Sequence, residues 1–151
     1  METERFEQFS ALISGIYWDI QKLKTKWTAP LGMKAVHIFW VYLLKNHPAG
    51  LSASELSRHS QSNRSLVSRE IQELLNLGYV QAEKGQRRYG QKLTLTPAGH
   101  EVAQKISAAS LEIQNQVNAE IPESDLIIFY RTLEVLMENF HLLAEQNLED
   151  M

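Results

Sequence analysis

The chain has 151 residues, a formal net charge of -3 at pH 7 and no cysteine. Its length and its 44% hydrophobic content suffice for one compact unit with a real core. The lack of cysteine excludes disulfides, thiolate metal sites and thiol-based oxidation sensing. The sequence shows no signal peptide and no apolar run long enough to cross a membrane, so a cytoplasmic location is expected.

The charge is distributed unevenly along the chain. Residues 58–92 hold seven Lys or Arg against three Glu, whereas residues 101–151 hold ten acids against Lys105 and Arg131. The first window is therefore +4 and the last third is -8. A phosphate backbone would attract the first and repel the second, so we expect only the middle of the chain to face a nucleic acid.

Two helices are predicted ahead of the basic window. The first carries apolar residues at alternating spacings of three and four, which is typical of packed helices: Phe6, Phe9, Ile13, Ile16, Ile20 and Leu23. A break follows at residues 28–32. The next helix is expected at residues 33–45, with one apolar side formed by Val36, Phe39, Trp40, Leu43 and Leu44.

A helix-turn-helix is predicted next. Ser52 and Glu55 have the spacing of a capping box, so a short helix should start there and end near His59 or Ser60. A polar turn leads to a second helix from about Arg64 to Asn76, which Gly78 should close. Two helices joined so closely must cross steeply.

The second of these helices has two different faces. Its apolar stripe consists of Val67, Ile71, Leu74 and Leu75. Its polar side combines short hydroxyls, amides and guanidinium groups, the donors that a helix presents to base edges and phosphates in a major groove: Arg64, Ser65, Ser68, Arg69, Gln72 and Asn76. An ordinary solvated helix face is the alternative interpretation.

The following segment predicts a basic β-hairpin. Tyr79 and Val80 favour one strand, and Leu93 and Leu95 alternate with polar residues in another. The ribbon between them carries four cations, which suit a phosphate backbone or a minor groove: Lys84, Arg87, Arg88 and Lys92. A solvated, charged turn is the alternative for a hairpin considered by itself.

In this order the motifs resemble those of the MarR family of bacterial winged-helix regulators. They are LSASEL at residues 51–56, LVSR at 66–69, LLNLGYV at 74–80 and LTPAG at 95–99. The family commonly has an Asp-x-Arg in the wing, where this chain has QRR at residues 86–88 and no aspartate. The resemblance gives the family's minor-groove arginine role to Arg88 or else to Arg87.

Two further helices complete the layout. Thr96 should cap a long helix whose apolar face contains Val102, Ile106, Ala109, Ile113 and Val117, and the three-four spacing then continues from Leu126 to Leu143. With the first helix these segments predict a homodimer, since two recognition helices can read half-sites one helical turn apart. The alternative is that they close a monomeric helical core.

The predicted fold is therefore mainly α with a small β-hairpin wing, a winged helix-turn-helix within a helical dimerisation body. Residues 1–30 form the first dimerisation helix, 31–99 the DNA-binding part and 100–151 the remaining dimerisation helices. Ser65, Ser68, Arg69 and Gln72 are expected at base edges, whereas Arg58, Arg64 and Lys92 are expected on phosphates.

The resemblance also implies a small-molecule pocket between the two parts. An aromatic set with one titratable group would suit a phenolic or amphipathic anion: Tyr17, Trp18, Trp27, His37 and Trp40. Plain core packing is the alternative for these aromatic residues. Glu138, His141 and Glu145 share a helix face, as would a metal-binding set, but an exposed polar face explains them, and no metal or other cofactor is predicted.

No motif of catalysis is present, so the chain is not expected to be an enzyme. The sequence predicts a sequence-specific regulator that binds double-stranded DNA, a homodimeric repressor of a pseudo-palindromic operator that an effector releases. The alternative from another class is a winged-helix adaptor that docks onto a protein and never touches DNA.

Overall fold

A computed structural model of the chain describes residues 2–60, 62–83 and 90–146. Within these ranges the chain is mainly helical with one small hairpin, which confirms the predicted fold class. In chain order the elements are α1 (Glu2–Thr28), a 3-10 helix (Ala29–Leu31), α2 (His37–Lys45), α3 (Ala53–Ser60), α4 (Arg64–Leu77), β1 (Val80–Ala82), β2 (Leu93–Leu95), α5 (Pro97–Asn118) and α6 (Glu123–Glu145).

The chain divides into two compact units, Met1–Ser110 and Leu111–Met151. The first unit contains α1 to β2 and the greater part of α5, and the second contains the end of α5 and all of α6. The predicted functional division at residues 30 and 99 stays a prediction. No helix in the described ranges is long and apolar enough to cross a membrane.

Helix α3 begins with the predicted capping box. The backbone N–H of Ser52 donates to Glu55 Oε2 at 2.7 Å, and the N–H of Glu55 donates to Ser52 Oγ at 3.3 Å. Two otherwise unpaired amides of the first turn are thereby satisfied.

Helix α4 is closed at both ends by its own sequence. The side chain of Asn63 accepts from the N–H of Leu66 at 2.9 Å and caps the first turn. Gly78 ends the helix in the left-handed region with φ of 80°, which costs a glycine little. These caps place the helix within one residue of its predicted bounds.

The hairpin is antiparallel, and Val80 pairs with Leu95 while Ala82 pairs with Leu93. Leu51 adds a third, short pairing to the sheet, because its N–H donates to the Leu93 carbonyl at 3.1 Å and its carbonyl accepts in return at 2.9 Å. At Gly50, φ is 88°, and a Cβ there would lie 2.9 Å from the Leu93 oxygen. The base of the wing is thus fastened to the chain just ahead of α3.

The core of the first unit lies between α2, α4, the hairpin and the start of α5. Its fully buried members include Trp40, Val41, Leu44, Leu56 and Leu74.

Helix α2 begins later than predicted and buries a different face. It begins at His37, after a turn in which the Met33 N–H donates to the Thr28 carbonyl at 3.0 Å. Its buried residues are His37, Ile38, Trp40, Val41 and Leu44, while the predicted Val36 and Phe39 are exposed. Because this helix is apolar on almost every side, periodicity could not choose the face that packs.

The hydroxyl of Thr96 joins the end of α4 to the start of α5. Thr96 Oγ1 donates to the Gly78 carbonyl at 2.6 Å and accepts from the Gly99 N–H at 3.0 Å, which confirms the predicted cap. The Thr96 N–H also donates to the Tyr79 carbonyl at 3.0 Å. Gly99 is required here, since a Cβ on it would lie 2.0 Å from the Tyr79 oxygen.

Helices α1 and α6 leave most of their apolar side chains exposed. In α1 these include Ile13, Ile16 and Ile20, and the described part of α6 has no buried residue. The predicted three-four spacing is therefore present in both helices, but the apolar faces are largely uncovered in a single chain.

Candidate nucleic-acid interface

Helix α4 presents the polar face that the sequence predicts. Val67, Ile71 and Leu74 are buried in the core. The residues on the other side are exposed: Arg64, Ser65, Ser68, Arg69, Gln72 and Asn76. An exposed helix with hydroxyl, amide and guanidinium donors on one face can enter a major groove and meet base edges.

The start of this face is tied to α3. Arg64 Nη2 donates to Ser54 Oγ at 3.0 Å, and the two residues line an open groove of about 510 Å³ together with Ala53, Ser65, Val67, Ser68 and Gly90. Further along the helix, Gln72 Nε2 donates to Asn76 Oδ1 at 3.0 Å. The polar face is thus partly organised before any ligand arrives.

The two acids of α4 point away from this face. Trp40 Nε1 donates to Glu70 Oε2 at 2.5 Å, and both side chains are buried. Lys34 Nζ lies 2.8 Å from Glu73 Oε1, and His37 Nε2 lies 2.7 Å from Glu73 Oε2. The hydrogen bonds from Lys34 and then from His37 lower the pKa of the Glu73 carboxyl. Glu70 is therefore buried on the inner side of α4, Glu73 is paired on its flank, and the outward cations of the helix are Arg64 and Arg69.

Lys92 forms an ion pair that the sequence does not predict. Its ammonium contacts Glu55 Oε2 at 3.0 Å and Oε1 at 3.3 Å, on the carboxylate that also closes the capping box. The Ser52 N–H, followed by Lys92, lowers the pKa of the Glu55 carboxyl from its ordinary 4.5 to about 2. This ion pair engages the charge that the sequence assigned to a phosphate, and it joins the residue before β2 to α3.

Arg58 is exposed near the end of α3 and lines an open groove of about 460 Å³ with His47, Leu51, Glu55 and His59. Its position leaves the guanidinium accessible to a phosphate. The predicted wing cations Lys84, Arg87 and Arg88 lie outside the described residues.

Four of the five residues expected to line an effector pocket lie in two different places. Tyr17 and Trp18 are exposed on α1, where their rings meet edge to face with centroids 5.4 Å apart. His37 and Trp40 are buried in the core. The Lys34 N–H donates to His37 Nδ1 at 3.0 Å, so Nε2 carries the ring proton and donates to Glu73. His37 and Trp40 are therefore buried, hydrogen-bonded residues that contact α4, as the alternative of plain core packing expects.

A different cavity was missed by the sequence reasoning. It has a volume of about 200 Å³ and is lined by Trp27, Pro30, Leu31, Lys105, Ile106 and Ala109. Two signals pointed towards it, because Trp27 was among the candidate aromatic residues and Lys105 is one of only two cations after residue 100. No pattern in the sequence indicates that α5 passes beside Trp27. In the described part of the chain, no three His, Asp or Glu side chains form a group that could hold a metal.

Comparison with known proteins finds one matching domain family and several similar folds. Residues 42–84 match the IclR helix-turn-helix domain. Among solved structures, Staphylococcus aureus MarR in complex with salicylate and kanamycin is 20% identical with a TM-score of 0.82, and the match covers 96% of each chain. A MarR transcriptional regulator from Methanosarcina mazei Go1 is 20% identical with a TM-score of 0.75, over 91% of this chain and 99% of that one.

A third structure, a mutant MarR from E. coli complexed with operator DNA, is 14% identical with a TM-score of 0.71 and covers 87% of this chain and 95% of its own. No curated protein sequence gave a significant match. The chain thus has the winged helix-turn-helix fold of MarR-type regulators.

Proposed function

We propose that this chain is a MarR-type transcriptional regulator that binds double-stranded DNA through α4 and the wing. The observation that carries the proposal is the exposed polar face of α4, with Arg64, Arg69 and hydroxyl and amide side chains, while Glu70 is buried and Glu73 is paired with Lys34 and His37. A phosphate backbone approaching α4 would meet cations and neutral donors, so the overall charge of -3 does not oppose binding at this face.

The roles of individual residues follow from their places on α4 and α3. Ser65, Ser68, Arg69 and Gln72 are exposed over the first nine residues of α4 and would meet base edges. Arg64 and Arg58 would contact phosphates. Arg87 or Arg88 would enter the minor groove, as the family resemblance implies. The complex of the E. coli relative with operator DNA supports this use of the fold.

The regulator would act as a homodimer on a pseudo-palindromic operator. Each of α1 and α6 carries an exposed apolar face, and such faces are usually covered by another chain. Two copies of α4 related by a twofold axis would read two half-sites about one helical turn apart. A protein of this kind would work in the cytoplasm, where its operator is.

Repression would be released by a small aromatic or phenolic effector. The cavity lined by Trp27 and Lys105 is the site that we propose for it, because its wall is mainly apolar and contains an indole and a lysine whose ammonium lies 3.2 Å from Glu101 Oε1. An aromatic carboxylate would match both groups. The complex of the S. aureus relative with salicylate supports this ligand class.

The proposed function is tested by fluorescence anisotropy with duplex from upstream of the protein's own gene and a scrambled duplex, each at 50 and 200 mM salt. The expected result is preferential binding to the upstream duplex that weakens steeply with salt, since each neutralised phosphate adds about -0.9 to the slope of log K against log salt. Arg69→Ala should cost about 1 to 3 kcal/mol on the upstream duplex and relax preference at one base pair.

Lys92→Gln is the matched control for loss of a cation. Because Lys92 is paired with Glu55, this change should leave the salt slope unchanged, whereas Arg64→Gln should reduce its magnitude by about 1. Equal, salt-insensitive binding to both duplexes, unaltered by Arg64→Gln, would reject the DNA-binding role and favour the adaptor.

A further inference from the structure

The inner side of α4 contains two acids that its apolar packing does not require. Glu70 and Glu73 are three residues apart and lie beside the buried stripe of Val67, Ile71 and Leu74. Glu70 is only 6% exposed and accepts from Trp40, which is 1% exposed. Burying a carboxylate is costly, and an apolar residue of similar volume usually gives equal or greater stability. A contribution other than stability is therefore needed to explain the pair.

Directional bonds provide such a contribution. Apolar packing is non-directional, whereas a hydrogen bond is lost when its atoms move by about 0.5 Å. Trp40 and His37 project from the same buried side of α2 and bind Glu70 and Glu73, respectively. These two bonds hold α4 at two points of its inner side, one turn apart, and so oppose its rotation.

The orientation of α4 decides what its outer face can reach. A rotation of about 15° moves a side-chain tip about 6 Å from the helix axis by about 1.5 Å. A bidentate contact to a base edge does not survive a displacement of that size. Arg69 adjoins Glu70 in the chain, so the position of the proposed base-reading residue depends directly on the Trp40–Glu70 bond.

We propose that Glu70, held by Trp40 and assisted by the Glu73–His37 bond, is a positioning residue that fixes the rotation of α4 and thereby the sequence discrimination of the protein. This inference rests on the proposed function, because it assigns a source of specificity to the same DNA-binding face. Contacts to phosphates tolerate small rotations better than contacts to bases, so non-specific affinity does not depend on the pair.

The test compares Glu70→Leu and Glu70→Gln in the full-length protein. For each variant the affinity is measured for the preferred and the scrambled duplex, together with the salt slope and the thermal unfolding midpoint. Glu70→Leu removes the acceptor and keeps the volume, and we expect the ratio of the two affinities to fall about 10-fold while the scrambled-duplex affinity, the salt slope and the folded state are kept. Glu70→Gln retains an acceptor for Trp40 Nε1 and should keep the wild-type ratio.

Trp40→Phe supplies a second route if Glu70→Leu does not fold. It removes the donor and by itself should lower the same ratio. Where Glu70→Leu does fold, the double variant should show no further loss, since both changes break one bond. Tyr42→Phe is the matched control, because it removes a hydroxyl from α2 whose partner is Ser107 on α5. That variant should keep the wild-type ratio.

Four results would overturn the inference. They are an unchanged ratio in Glu70→Leu or in Trp40→Phe, an equal loss in Glu70→Gln, an equal loss in Tyr42→Phe, and additive losses in the double variant. If the wild type prefers no duplex, the proposed function itself fails and the inference fails with it. If the wild type prefers the upstream duplex and Glu70→Leu keeps that preference, only the inference is rejected and the proposed function stands.

Discussion

Helices α4 and α1 have similar apolar spacing but opposite burial. In α4 the residues Val67, Ile71 and Leu74 are almost completely covered by the rest of the chain. In α1 the residues Ile13 and Ile16 are exposed, Ile16 by 53%. Spacing of three and four therefore shows that a helix has an apolar side, but it does not show whether the covering surface comes from the same chain or from another.

The comparison separates two sources of stability. The winged-helix elements pack onto a core of their own, which α2, α4, the hairpin and the start of α5 complete. In our proposal, a second copy of the chain covers the exposed apolar faces of α1 and α6. The first kind of contact should govern unfolding and the second kind should govern assembly, and substitutions can address the two separately.

The largest effect is expected from a charge placed on the exposed side of α1. Ile16→Glu should separate the dimer, because it buries an unpaired carboxylate in an apolar interface. The operator affinity should then fall by about 10²- to 10⁴-fold, since two linked half-site contacts become two independent ones. Light scattering after size exclusion measures the assembly, and anisotropy measures the affinity.

Ser14→Glu adds the same charge at a polar position two residues away on α1 and should leave both quantities close to wild type. A wild-type chain that is monomeric at micromolar concentration would disprove the dimer, as would an Ile16→Glu variant that elutes unchanged.

The next effect belongs to the buried side of α4. Leu74 is fully buried, so Leu74→Ala should lower the free energy of unfolding by about 3 kcal/mol through lost burial and a residual cavity. Leu77→Ala on the same helix is the control, because that side chain is 38% exposed and should cost less than about 1 kcal/mol. Urea unfolding of both variants checks the difference, and equal losses would contradict the burial assigned to Leu74.

The smallest effect concerns the polar base of the wing and depends on pH. The pKa of Glu55 is about 2 in the fold, below its ordinary 4.5. The ionised carboxylate therefore stabilises the fold above about pH 4.5, and this contribution is lost as the pH falls towards 2. Glu55→Gln should be less stable than wild type at pH 7, and the gap should shrink between pH 4.5 and pH 2.

Urea midpoints at a series of pH values measure this gap. Lys92→Met should reproduce only part of it, since the Ser52 N–H also lowers the Glu55 pKa. A stability difference between wild type and Glu55→Gln that stays constant from pH 7 to pH 2.5 would contradict the lowered pKa of Glu55.

Local signals in the sequence were sufficient for the helix-turn-helix. The Ser52–Glu55 capping box, the Gly78 termination and the Thr96 cap each involve residues a few positions apart, and all three are present. The outward set of α4 was also predicted, because the helix has a clear apolar stripe opposite a polar face.

Long-range polar contacts were not predictable in the same way. His37 and Trp40 resembled pocket residues because their partners, Glu73 and Glu70, are at least 30 positions away along the chain. Lys92 resembled a free wing cation for the same reason, since Glu55 is 37 positions away. Charged residues were counted correctly, but only the fold shows which of them neutralise one another.

The Thr96 hydroxyl has a consequence for local opening. It bonds the last turn of α4 to the first turn of α5, and the Thr96 backbone bonds to Tyr79 beside it. Neither helix end can fray without breaking a bond that the other shares. In native-state hydrogen exchange the amides of Tyr79 and Gly99 should therefore open together with one free energy, as members of a single cooperative unit.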